Sequence, residues 1–212
     1  KELLIYLKKL KKNIPIGIQL SHAGRKASCD VPWNGGAQYT SNSKEGWPVV
    51  GPSAIPYANS WQVPEELNDE GMERIKRAFV HAAERCIRIG FDVIEIHMAH
   101  GYLFAQFLSP LSNRRTDTYG GSRENRMRFP LEVFEAVRAK WPDDLPLGVR
   151  ISAVEWVDDG WSIEDSVAFA KELKVRGCDF IDVSSGGNTP RQEIDSGPGY
   201  QTGFAAEVRR QS

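Results

Sequence analysis

The stretch His97-Met98-Ala99-His100-Gly101-Tyr102 sets two imidazoles and a phenol within six residues, directly after an apolar run. Imidazoles give and take hydrogen bonds near neutral pH, and a phenol can serve as a general acid. Together they could polarise a substrate oxygen and deliver a proton beside it. A metal site is the other chemistry open to them. HxxH lacks the glutamate of HExxH, however, and a catalytic zinc normally has three protein ligands, so Glu95 or Asp182 would have to supply one. Any one of the three side chains could merely satisfy a buried hydrogen bond; their clustering favours chemistry. Gln19 and Arg150 form a second group. A planar amide and a permanent cation near two imidazoles and a phenol suit a flat, electron-accepting ring. Arg150 could instead pair with Glu95 or Asp182, and Gln19 could be a satisfied core amide. Spacing does not name the ring.

The elements that must position these groups alternate. Ile14–Ser21, Phe91–His97, Leu147–Ser152 and Cys178–Ser185 are short and rich in branched apolar residues, as buried strands are. Helical patterns separate them. Ile75, Phe79, Ala82, Cys86 and Ile89 share one helical face ahead of Gly90, a left-handed terminator. Ser162 with Asp165 resembles a capping box before the stripe Ile163, Val167, Ala170 and Leu173. Between them a helix from about Ser122 to Lys140 should kink or restart at Pro130. Repeated strand and helix units imply parallel strands, in an open doubly wound sheet or a (β/α)8 barrel. Side-chain alternation chooses. One face carries Ile14, Ile16 and Ile18, then Ile94 and Ile96, Val149 and Ile151, Ile181 and Val183. The opposite face carries Gln19, Glu95, His97, Arg150, Ser152, Asp182 and Ser184. An open sheet buries both faces under helices, whereas a barrel lumen can gather polar groups toward its carboxyl end, where barrel enzymes place their chemistry. The expectation is a (β/α)8 TIM barrel. No GxGxxG follows any strand, which weakens a Rossmann reading.

Four strands are half of such a barrel, so residues 1–212 are expected to be a single partial barrel domain, about strands three to six, truncated at both ends. The chain opens without Met on KELLIYLKKLKK, a helical pattern, and closes on FAAEVRRQS, an unfinished helix. Ala27 to Gln62 form one long connection whose Trp33, Trp47 and Trp61 argue for an ordered flap over the mouth. Lys+Arg 27 against Asp+Glu 28 and a pI near 6.5 leave little attraction for nucleic acid or an anionic membrane. No run approaches a membrane span, no signal peptide precedes the first element, and the odd set Cys29, Cys86 and Cys178 suits a reducing cytoplasm.

IGIQLSHAGRKAS, FDVIEIHMAHGYLFAQFLSPLSNRRTDTYGGSRENR, LGVRISAVEWVDDGW and DFIDVSSGG resemble, in order, the old yellow enzyme family of FMN-dependent ene-reductases. The resemblance runs from about Ile14 to the end. His100, where some members have Asn, and HAGRKAS look more like the bacterial thermophilic-like and xenobiotic-reductase branch. The resemblance implies FMN reduced by NADPH or NADH, followed by hydride transfer from flavin N5 to the β-carbon of an activated alkene, an α,β-unsaturated carbonyl or nitro compound. It implies that His97 and His100 bond the substrate oxygen, that Tyr102 protonates the α-carbon, that Gln19 bonds the pyrimidine edge of the flavin, and that Arg150 stabilises its reduced anion. It also implies a homo-oligomer for the full-length parent. The family's first barrel strand, with its potential-tuning Cys or Thr, and its last two strands, which precede the phosphate-binding loops, have no counterpart here. A metal-dependent barrel hydrolase using His97 and His100, or a non-catalytic ligand-binding barrel, are the alternatives.

Overall fold

The computed structural model describes residues 2–10 and 14–212. In chain order the helices and strands are α1 (Glu2–Leu10), β1 (Gly17–Leu20), β2 (Val50–Gly51), β3 (Glu65–Glu66), α2 (Asp69–Ile89), β4 (Val93–Met98), α3 (Leu103–Leu108), α4 (Arg123–Arg138), β5 (Leu147–Ser152), α5 (Ile163–Val175), β6 (Phe180–Ser184) and α6 (Thr202–Gln211). Lys1, Lys11 and Lys12 of the first helical pattern lie outside the described residues. Four strands pair in the order β1-β4-β5-β6, all parallel, and β2-β3 form a separate short pair.

The face bearing Ile94, Ile96, Met98, Val149 and Ile151 is fully packed, against Phe79, Phe104, Phe134 and Phe169 among others. The opposite face stays open. Arg150 and Asp182 on it keep side-chain exposures of 35% and 44%. A parallel sheet with helices on one face and polar groups on the other is one wall of a barrel.

Local signals explain the helix ends. Asn68 caps α2 by accepting from Gly71 N at 2.8 Å, and Gly90 stops it at φ +87°. The buried stripe runs through Ala83, while Ala82 and Ile89 are half-buried. Ser162 and Asp165 make the reciprocal capping box expected of them.

Three expectations need correction. The first strand begins at Gly17, not Ile14, because the Asp92 carboxylate takes the Ile16 N–H at 2.9 Å; Ile14 is 45% exposed. Likewise β6 starts at Phe180. Finally, α4 runs unbroken through Pro130. An interior proline costs roughly 3 kcal/mol. Phe129, Val133 and Phe134 are all buried beside it, at about 1.5–3 kcal/mol apiece, so packing offsets the missing bond.

Candidate active site

Strand register sets the first layer. His97, Arg150 and Asp182 are neighbours across β4, β5 and β6, and Gln19 is the partner of Glu95. His97 is only 4% exposed at the end of β4. Beyond it the chain turns sharply, with His100 at φ +58° and Gly101 at φ +68°. The His100 N–H donates to Ser152 Oγ at 2.9 Å, and its Nε2 pairs with Ser184 Oγ at 2.7 Å. Two backbones interlock here. A Cβ on Gly101 would stand 2.4 Å from Gly187 O, and one on Gly187 would stand 2.5 Å from His100 Cα. The turn thereby brings the His97 ring to 5.1 Å from both the His100 and the Tyr102 ring, centroid to centroid.

Both imidazoles are pushed toward the neutral form. Burial, then the charges of His100, Arg150 and Lys26, lowers His97 to about 4, and burial with Arg150 and Lys26 lowers His100. His97 Nδ1 is buried with no hydrogen-bond partner among the described residues. A polar atom buried without a partner costs about 1–3 kcal/mol, which an incoming ligand would relieve.

Gln19 and Arg150 lie on the same open face, each beside a carboxylate. Gln19 Nε2 donates to Glu95 Oε1 at 2.5 Å, and Arg150 Nε stands 3.2 Å from Asp182 Oδ2 without hydrogen-bond geometry. The guanidinium makes no hydrogen bond among the described residues. A part-exposed ion pair is worth about 0–1 kcal/mol and can be exchanged for a ligand. A donor-and-acceptor amide and an unsatisfied guanidinium fit the edge of a flavin ring. Metal chemistry is less well provided for. Among the described residues no three His, Cys, Asp or Glu side chains converge as a ligand set.

Other residues escaped notice in the sequence. The Lys26 ammonium donates to His100 O at 3.0 Å and Gly187 O at 2.9 Å, and lies 4.7 Å from the Tyr57 ring centroid and 5.7 Å from that of Tyr102. Burial lowers it to about 8. Side-chain alternation placed Ser152 and Ser184 on the inner face without showing that they would hold His100. Glu155 of the VEWVDDGW segment accepts from Ser109 Oγ at 2.7 Å and Trp161 N at 2.8 Å, bracing the loop after β5.

The 27–62 connection is ordered, with little contribution from Trp33 and Trp47. Trp33 is 83% and Trp47 51% exposed. Glutamines hold it instead. Gln38 donates to Arg25 O and Ala27 O, and Gln62 donates to Gln38 Oε1 and Tyr39 O. Trp61 supports the Tyr57 ring at 4.9 Å. A cleft of about 870 Å3 lies beside Arg25, Tyr57 and Arg191. His97, His100 and Tyr102 do not line it. With one wall of the barrel described, their face is open rather than enclosed, so geometry locates the site better than volume does.

Residues 8–199 match the NADH:flavin oxidoreductase / NADH oxidase family. The chain belongs to this family. FMN is the flavin of the family and a nicotinamide dinucleotide its reductant. Family members similar to this chain include an NADPH dehydrogenase of Geobacillus thermodenitrificans, 48% identical over 93% of this chain and 52% of its own length. Another NADPH dehydrogenase, of Bacillus subtilis, is 46% identical over 93% of this chain and 53% of its own. The chain thus spans about half the length of the curated relatives it matches. Among solved structures, morphinone reductase superposes with a TM-score of 0.72 at 28% identity, covering 94% of this chain and 54% of its own. The fold is accordingly part of the (β/α)8 barrel of the old yellow enzyme relatives.

Proposed function

We propose that this chain contributes about strands three to six of a single (β/α)8 domain in an FMN-dependent NAD(P)H oxidoreductase that reduces activated alkenes. When bound, FMN supplies the hydride that reaches the β-carbon of the alkene. The protein's share is electrostatic and protonic. Neutral His97 and His100 donate hydrogen bonds to the carbonyl or nitro oxygen of the substrate, where negative charge develops. Tyr102 gives its phenolic proton to the α-carbon. Gln19 and Arg150 hold the flavin edge, the guanidinium countering the negative charge of the reduced ring.

The observation that carries this proposal is the convergence of both imidazoles and the phenol, with one imidazole nitrogen unsatisfied, on the face that also presents Gln19 and Arg150. The lowered imidazoles suit the role, since burial and nearby cations favour their uncharged, hydrogen-bonding form. The test uses the FMN-loaded enzyme that contains this chain. NADPH should bleach the flavin absorbance without oxygen, and an α,β-unsaturated ketone should restore it with formation of the saturated ketone. A colourless protein, or a reduced flavin that no activated alkene reoxidises, would sink the proposal.

A further inference from the structure

Lys26 is unusual for a lysine. Its ammonium is drawn in from a single 3-10 turn, Gly24–Lys26, to two carbonyl groups, His100 O at 3.0 Å and Gly187 O at 2.9 Å, and sits against two aromatic rings. An ammonium has three donors. Two are spent on the interlocked turns, and the positive charge remains beside the Tyr57 and Tyr102 rings, inside the roughly 6 Å over which a cation and an aromatic face attract. We propose that Lys26 is a positioning residue for Tyr102, pinning the turn from which the phenol projects and stabilising the phenolate left when its proton has gone.

The inference rests on the proton-donor role proposed above. In that step the Tyr102 O–H bond breaks, a C–H bond forms at the α-carbon, the electron pair stays on the phenol oxygen, and solvent later returns a proton. A phenolate is a poor product in a partly buried site unless a cation faces it. The charged and titratable groups around this point are His97 and His100 from β4 and its turn, Arg150 and Asp182 from β5 and β6, and Arg25, Cys29 and Tyr57 about the ammonium itself. Neutral imidazoles cannot supply the charge, Arg150 has Asp182 beside it, and Arg25 is spent on Ile55 O, Pro56 O and Asn188 O. Among the described residues, Lys26 is the cation at the Tyr102 ring.

The test compares Lys26→Gln, which keeps donors for the carbonyls without the charge, Lys26→Met, which keeps neither, and Lys26→Arg, which keeps both, in the FMN-loaded enzyme. Single-turnover alkene reduction should slow roughly tenfold in Lys26→Gln, and further in Lys26→Met, with reduction of the flavin by NADPH little changed. Lys26→Arg should restore the alkene half-reaction. Native alkene reduction in Lys26→Gln, or equal losses in both half-reactions, overturns the proposal, and a poorly folding Lys26→Met leaves the comparison of Lys26→Gln with Lys26→Arg intact. If Tyr102→Phe reduces alkenes at full rate the proton-donor role itself fails; if Tyr102→Phe is slow and Lys26→Gln is not, this inference fails alone.

Discussion

Arg150 on β5 and Asp182 on β6 are register partners whose side chains meet with Nε 3.2 Å from Oδ2. On the proposed role of Arg150, the carboxylate would temper the charge offered to a reduced flavin. Asp182→Asn should leave the guanidinium uncompensated and favour the anionic reduced ring. A part-exposed pair of this kind is worth about 0.2–1 kcal/mol, so the flavin midpoint potential should rise by roughly 5–20 mV. Potentiometric titration of both proteins measures this directly. A potential that is unchanged or lower would remove Arg150 from the flavin's neighbourhood.

Tyr102 makes the sharpest separation between the half-reactions. Tyr102→Phe keeps the ring that packs edge-on to His97 and deletes only the hydroxyl. Alkene reduction should fall by about 10²–10³-fold, the usual worth of a positioned general acid, and flavin reduction by the nicotinamide should hardly change. Stopped-flow absorbance follows each half separately. Equal losses in both would contradict the proton-donor role.

The histidines predict a pH dependence of stability. Burial lowers His97 to about 4, below its ordinary value of 6.5. A histidine with a depressed folded-state value contributes stability that is present above pH 6.5 and is lost as pH falls through about 4, because the unfolded chain takes up the proton first. Thermal unfolding should therefore show Tm dropping between pH 6.5 and 4 by more in the native protein than in His97→Gln. The same neutrality predicts that alkene reduction shows no inflection from His97 between pH 5 and 8. Parallel Tm profiles in the two proteins would show that His97 is not held neutral.

Alternation along four strands made the inner face readable in the sequence. Gln19, Glu95, His97, Arg150 and Asp182 needed no more than the period of two, and the register then brought them side by side. What alternation could not show was how the turn after β4 folds. Lys26 lies 74 residues from His100 and 161 from Gly187, and only the folded sheet brings the loops after β1, β4 and β6 together. Asp182 was named as an alternative partner for Arg150, and that pairing occurs; Gln19 was expected only as a satisfied amide, and the Glu95 carboxylate that satisfies it was not foreseen. The 27–62 connection is ordered as its tryptophans suggested, but mainly by glutamine amides bonding to backbone, a pattern with no periodicity to detect. Pro130 misled, since a local rule yielded to burial.

The contact of Gly187 with the His100 turn gives the last prediction. Gly187 has φ +99°, and any Cβ there would stand 2.5 Å from His100 Cα and 2.6 Å from its carbonyl carbon, backbone that cannot swing aside. His100 is itself a non-glycine residue at φ +58°, so the turn already stores strain that its bonds to Ser152 and Ser184 must hold. Gly187→Ala should cost about 2–4 kcal/mol, adding an unfavourable backbone conformation to a steric clash. Chemical denaturation measures that loss. The same displacement should loosen both carbonyls from Lys26 and shift Tyr102, so alkene reduction should fall further than stability alone explains, at temperatures where the variant is fully folded. A Gly187→Ala protein of native stability and native rate would mean that the two loops are not interlocked.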